Sequence, residues 1–384
     1  MKKRFNLLIL YDIIAGTTLI FTLIYMVATH TSIIEFLDTD TVSIFGDFTL
    51  HINFSKDLAN TYNESMHACF PPFIYLFYHF VGLLLDDFDN QNAIFFLNAI
   101  INTVLFCVFT FVCTKTIKYK DNLIVLSMIA LLCLSTGFTF GVIERANIVF
   151  LVLILLLVAS NWRESDDKIK RELAMICIAV AAAIKIYPAV FGLIYIAEKR
   201  FKEAFRLIIY GILFFFVPFI FTGGIDGIKT FFKNQSSVHT TWGINSKVSI
   251  YSLACFYNVN KKLAITLSIV FALIALFVVF FAKQKWQKYF ALSFIMVMCP
   301  MWSGQYTLCL FVIPFIAFLN EQKNNVYFTN IINTVLFSLF LSASIFNNFY
   351  AMIRNFFAII ALFIIIIVQI LFDLYYNKSN KTTV

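Results

Sequence analysis

Between residues 141 and 206 the chain alternates twice between an apolar run and a charged interruption, a regularity that leaves few folds open. The polar tip Gly141-Val-Ile-Glu144-Arg145-Ala-Asn147 opens an apolar run ending at Ser160, and a charged loop over 161–172 follows. The next apolar run is split by Lys185-Ile-Tyr187-Pro188 and closes on the basic cluster 198–206. Runs of this kind read as membrane helices, each needing about 20 mostly apolar residues. At 61% hydrophobic and 13% charged, the chain lies outside the range of water-soluble domains, where about a quarter of residues are charged. The interruptions leave room for about twelve spans. The expected fold class is all-α, a polytopic transmembrane helical bundle forming one membrane-embedded domain over 1–384.

Orientation follows from the basic residues. Met1-Lys2-Lys3-Arg4 precedes an apolar run over 7–28 that is too long for a signal peptide and lacks a small-residue cleavage site, so it reads as an uncleaved first helix. Its cationic start belongs in the cytoplasm, and the later loops alternate from there. Residues 30–90 form a large first outer loop, acidic through Glu35, Asp38, Asp40, Asp47, Asp57, Glu64, Asp86, Asp87 and Asp89. Within it Pro71-Pro72 begins an apolar stretch of about 13 residues, too short for a span and suited to a juxtamembrane helix. Further spans are expected at 93–114, 122–140, 147–160, 173–187, 189–197 and 207–221. A second outer loop covers 222–262, before spans at 263–282, 289–301, 306–319, 326–345 and 351–374. This layout puts most of the 29 Lys and Arg in cytoplasmic loops, with both termini inside. Counting the Pro71 stretch as a span would put most of them outside.

The net charge of +8 has its source in these helix-end clusters, which set orientation; no nucleic-acid partner is expected. Most cysteines fall in apolar segments and read as small hydrophobes, while Cys69 and Cys255 lie in the outer loops, which leaves a disulfide between them open. No metal-ligand spacing occurs and no cofactor is expected, although a divalent cation held by loop carboxylates stays open. Asp12, an acid inside the first span, is expected to pair with a neighbouring helix.

The outer side gathers chemistry. Asp47 lies in the acidic first loop, and Arg145 and Lys185 stand at the outer ends of neighbouring helices, where a long cationic side chain reaches the lipid phosphate level. The block Glu144-Arg145-Ala146-Asn147, an apolar helix, a charged loop and then Lys185-Ile186-Tyr187-Pro188 resembles the bacterial polyprenol-phosphate-mannose-dependent mannosyltransferases, a branch of the C-type membrane glycosyltransferases. Asp47-Phe48 followed by Phe70-Pro71-Pro72 is similar to the first-loop pattern of that family, and Cys299-Pro300-Met301-Trp302 through Gln305-Tyr306 to its late Pro-x-Trp motif. Two departures stand out: Phe70 where many members have tyrosine, and Gln305 where many have a histidine.

The resemblance implies an enzyme of the bacterial inner membrane that moves one hexose from a polyprenyl-phosphate sugar donor to a glycan or glycolipid acceptor on the outer face. Asp47 would be the general base, Arg145 and Lys185 would bind the donor phosphate, and His51, Glu144, Asn147, Tyr187 and Gln305 would orient substrate hydroxyls. Two other readings remain: a flippase or transporter of lipid-linked sugars, and an oligosaccharide polymerase. A transporter calls for ionisable residues at mid-span, whereas this chain keeps nearly all its charges at helix ends.

Overall fold

The computed structural model describes residues 6–30, 45–63, 65, 67–85, 90–119, 121–138, 145–242, 248–322, 328–343 and 348–381, and every regular element among them is helical. Helix α1 (Leu7–Ala28) coincides with the expected first span, and Asn6 caps it by accepting the Leu8 N–H. Asp12 meets Ser127 of the neighbouring helix α5 (Asn122–Cys133), the kind of partner its position calls for.

Two short helices lie between α1 and the next long helix, α2 (Gly46–Phe54) and α3 (Pro72–Gly82). Helix α3 starts where it does because proline at the first position lacks an N–H that would otherwise be orphaned. Its 11 residues cannot cross a bilayer. One face buries Ile74, Tyr75 and Tyr78 while Phe80, Leu83 and Leu84 stay exposed, as an interfacial helix requires.

The bundle continues with α4 (Gln91–Thr116), α5, α6 (Val149–Trp162), α7 (Lys168–Ile184), a 3₁₀ segment Tyr187–Gly192 running into α8 (Leu193–Ala197), and α9 (Phe201–Phe216) extended by Val217–Ile220. After α10 (Gly224–Trp242) and α11 (Ile250–Phe256) come α12 (Lys261–Phe281), α13 (Lys285–Met298), a 3₁₀ segment Gln305–Phe311 entering α14 (Val312–Glu321), α15 (Phe328–Phe340) and α16 (Asn348–Lys381). Each expected span thus has a helical counterpart. Among the described residues five helices are long and apolar enough to cross a membrane: Leu7–Ala28, Asn92–Thr116, Phe201–Ile220, Lys261–Phe281 and Met352–Tyr376.

Length sorts these helices into layers. The short α6 and α13 are buried almost all round, and a helix without a polar face has nowhere to sit but the interior. The long ones carry the exposed apolar side chains, among them Ile20, Phe96, Ile212, Leu273 and Phe372, which suits the lipid-facing surface.

Within residues 222–262, expected as a loop between two spans, runs α10, a helix of mixed apolar and polar residues. Its start is tight: a Cβ on Gly227 would come 2.0 Å from the Thr222 carbonyl oxygen, so only glycine fits. The expected span 122–140 stops at Cys133, followed by a single turn, Thr136–Phe138. Cys69 and Cys255 are both free thiols, so no disulfide joins them.

Candidate functional site

Helices α6 and α7 run antiparallel, joined at one end by residues 163–167, so Arg145 before α6 and Lys185 after α7 come to the same opposite end. Helix α7 stops at Ile184, with Lys185 already extended (φ −141°, ψ 136°). Pro188 explains this, since it has no N–H to donate to the Ile184 carbonyl four residues back and its ring would clash with that carbonyl in a continuing helix.

The first loop is pinned to the start of α6 by its own backbone. The Asp47 N–H donates to the Arg145 carbonyl at 3.1 Å. Phe45 and Ala146, on either side of this junction, both have positive φ, 64° and 51°. For residues with a Cβ that conformation costs about 1–2 kcal/mol each, and it persists only where surrounding contacts impose it.

Those contacts converge on one carboxylate. Arg145 donates to Asp47 Oδ1 from Nε at 3.1 Å and Nη2 at 2.6 Å, and Asn147 Nδ2 donates to Asp47 Oδ2 at 2.6 Å. Asn147 is held in turn because its Oδ1 accepts the Val149 N–H at 3.0 Å. Burial alone would raise the Asp47 carboxyl, but the Arg145 guanidinium, helped by His51 and Asn147, outweighs it and holds the group below the ordinary carboxylate range. Asp47 is therefore ionised at neutral pH.

One helical turn further along α2, His51 is stacked on Phe70 at 4.1 Å between ring centres, and its Nδ1 lies 3.2 Å from the Tyr75 hydroxyl. Burial pushes its imidazole down to about 3; Asp47 opposes this, while Lys185 and Arg145 add to it. His51 is thus neutral, and since the Tyr75 oxygen faces the Phe70 N–H at 3.5 Å, the Tyr75 hydroxyl hydrogen is left to donate to His51.

Lys185 is 5% exposed and lies between two rings, its Nζ 4.5 Å from the centre of Phe70 and 4.9 Å from that of Tyr306. Among the described residues no carboxylate stands within salt-bridge distance of it. Aromatic faces attract a cation without neutralising it, so no ion pair among the described residues competes with a ligand for the ammonium. The Tyr187 hydroxyl and the Gln305 amide oxygen are buried and have no hydrogen-bond partner among the described residues. Glu144 lies outside the described residues, as do Glu35, Asp38, Asp40, Glu64, Asp86, Asp87 and Asp89. Among the described residues no group of His, Cys, Asp and Glu could hold a metal ion.

The sequence reading missed the scaffold of this site. Phe70 and Tyr306 flank named motifs, which was a signal; Asn234 of α10 gave none. Asn234 Nδ2 reaches the carbonyls of Tyr62, Ala68 and Ser65 at 2.9, 3.1 and 3.2 Å, and Gln235 donates to the Cys69 carbonyl. Tyr62 in turn donates its hydroxyl to the Phe70 carbonyl at 2.9 Å. Helix α10 thereby holds the loop whose last aromatic ring covers both His51 and Lys185.

A many-helix bundle with an ionised carboxylate, a neutral imidazole and an uncompensated cation at one end defines a membrane protein built for polar chemistry at the bilayer edge. A family model for glycosyltransferase family 87 matches residues 69–304, more than half of the chain, and the chain belongs to that family. The matched region includes Phe70, Arg145, Asn147 and Lys185, whereas Asp47, His51 and Gln305 fall outside it. No curated protein and no solved structure matches the chain. It is a multi-pass membrane glycosyltransferase, using a sugar donor and an acceptor.

Proposed function

We propose that this chain transfers one mannose-like hexose from a polyprenyl-phosphate donor to a lipid- or glycan-linked acceptor on the outer face of a bacterial inner membrane. The observation that carries the reading is the pairing of an ionised, hydrogen-bonded Asp47 with a cation, Lys185, that no carboxylate among the described residues compensates. Asp47 takes the proton from the acceptor hydroxyl, a role worth about 10²- to 10⁴-fold in rate. The acceptor oxygen bonds to the anomeric carbon as the bond from that carbon to the phosphate oxygen breaks, and its electron pair leaves on the phosphate. Lys185 stabilises this charge, with Arg145 shared between the phosphate and Asp47. His51, Asn147, Tyr187 and Gln305 present hydrogen-bonding groups to substrate hydroxyls, and Glu144 is proposed for the same role.

The test is transfer of label from polyprenyl-phosphate sugars to candidate acceptors by the purified protein in detergent. Transfer that survives Asp47→Asn undiminished sinks the assignment of the base. Absence of single-sugar transfer from every such donor sinks the reading itself.

A further inference from the structure

Arg354, in the second turn of α16, is part-buried, and its charge meets only neutral groups among the described residues. Its Nε and Nη2 donate to Asn355 Oδ1 at 3.2 and 3.0 Å, and its Nη1 donates to the Ala343 carbonyl at 3.2 Å. The chain holds no Asp or Glu between Glu321 and Asp373, so no neighbour in sequence supplies an anion. The first turn of α16 carries no acidic residue either, and the partial positive charge of a helix N-terminus makes a lone cation there less favourable still. A guanidinium has five N–H groups. Three are used here, which leaves one on each Nη, enough for two oxygens of one anion.

Position says which anion. Helix α16 runs unbroken from Asn348 to Lys381, and the eighteen residues between Arg354 and Asp373 carry no charge. At about 1.5 Å per residue these two lie about 28 Å apart along the axis, close to the roughly 30 Å of a bilayer's hydrocarbon core. Asp373 pairs with Lys283 just before α13, at the end that holds Lys285 and Glu164. Arg354 therefore stands at the opposite boundary, where Met352 and Asn355 line a narrow gap with Gln305 and Leu308. Gln305 precedes Tyr306, whose ring lies over Lys185, so this is the Lys185 end of the bundle. Arg354 also flanks the exposed stripe of Phe357, Ile364, Val368 and Leu371, which puts a cation at headgroup level beside a surface that acyl chains cover.

We propose that Arg354 binds the phosphate of an anionic phospholipid at this boundary, with the lipid's chains lying along the exposed stripe of α16. A net negative headgroup is favoured over a zwitterionic one, whose own ammonium already answers its phosphate. Nothing in this binding requires sugar transfer.

The experiment titrates phosphatidylglycerol into the full chain in detergent and reads bound lipid by native mass spectrometry alongside the unfolding midpoint. Wild type should bind it roughly 10- to 100-fold more tightly than Arg354→Met, the usual weight of one charge-assisted contact, and the lipid should raise the midpoint of wild type but not of this variant. Arg354→Met strands no carboxylate among the described residues, so it should fold. Arg354→Lys keeps a point charge and loses the fork; it should fall between the two, and it decides the matter if the methionine variant does not fold. Arg206→Met, which removes a cation near the other end, should leave the affinity within about fivefold, the effect of one surface charge. Equal affinity in wild type and both Arg354 variants overturns the proposal, as does phosphatidylcholine binding as tightly as phosphatidylglycerol. Inorganic phosphate raising the midpoint as much as the lipid would make a free anion the ligand and overturn the lipid assignment. Polyprenyl phosphate losing its binding in Arg354→Met while phosphatidylglycerol keeps its own would assign Arg354 to the sugar donor and overturn it too.

Discussion

The two ends of the α6–α7 pair are both charged, and they differ in whether the charges are spent. At the end carrying the 163–167 connection, Arg163 is wholly buried and fully engaged. It donates to both oxygens of Glu198 at 2.6 and 2.8 Å, to Glu164 at 2.5 Å and to the Tyr289 hydroxyl at 2.8 Å. Its own carbonyl accepts from Arg200 at 2.9 Å, and Lys285 pairs with Glu164. At the other end Asp47 is satisfied, but Lys185 meets only aromatic faces among the described residues, and Tyr187 and Gln305 keep buried polar atoms without partners. A satisfied network fixes geometry, whereas unspent groups cost stability and persist where a ligand completes them. That contrast separates clamp from site more sharply than charge does.

Asp47→Asn probes the site end most directly. The asparagine carbonyl still accepts from Arg145 but its NH₂ meets that of Asn147, so a modest loss of about 1–3 kcal/mol is expected, while transfer from polyprenyl-phosphate sugar falls by about 10²- to 10⁴-fold. Sugar-transfer assays together with an unfolding midpoint would read both. A parallel collapse of the midpoint would mean that Asp47 is itself a clamp.

Arg163→Met probes the other end and should behave in reverse. Removing the buried partner of this ionic network costs up to about 3–5 kcal/mol, because among the described residues Glu198 then keeps only Arg200 at 3.9 Å and Glu164 only Lys285. The unfolding midpoint should drop well below that of wild type while turnover per folded molecule stays near normal. Lys185→Met completes the contrast. Transfer should fall by roughly 10²- to 10³-fold, the usual effect of losing one transition-state donor. Since no carboxylate among the described residues is stranded by the change, the midpoint should hold or rise; a fall as deep as that of Arg163→Met would erase the distinction.

A smaller effect is expected at Asn234, which touches neither end of the pair directly. Asn234→Ala removes a donor shared by three loop carbonyls, worth about 1–3 kcal/mol of local stability. Amide exchange should quicken over 62–70 before any global unfolding, and KM should rise more than kcat falls. If exchange is unchanged there, Phe70 is held in place by α3 alone.

How much of this was legible in the sequence depends on the range of the interaction. Helix ends were readable because their signals are local: Pro72 starts α3, Pro188 stops α7, and Asp167 caps α7. Asp47, Arg145 and Lys185 were readable as types in an order, by resemblance. Their meeting was not, since the Asp47–Arg145 contact spans 98 residues and the Asn234 contacts 166 to 172. Such contacts leave no periodicity behind. The aromatic box around Lys185 was hidden for another reason. In a chain holding 48 Phe and 17 Tyr, no single ring stands out until a cation lies over it.

The finest test of the contrast is pH, through His51. The folded protein holds this imidazole neutral down to about 3, whereas in the unfolded chain it takes up a proton near its ordinary 6.5. Between those values the unfolded state binds more protons, so stability is complete above pH 6.5 and falls as pH drops toward 3, by at most about 1.4 kcal/mol per pH unit. Asp47 acts in a different window. Its depressed pKa gives stability present above the ordinary carboxylate value and lost only as pH falls through the lower folded one. Carboxylates titrate in the lower part of the interval from pH 6.5 to 4 as well, so the share of His51 is read as a difference: His51→Gln should flatten the fall in unfolding midpoint across it relative to wild type. Transfer rate should show no step near pH 6.5 that His51→Gln removes, because the folded protein keeps this imidazole neutral through that range. A rate step at that pH that disappears in His51→Gln would show the imidazole exchanging protons with water, and the aromatic wall over the site would then be open.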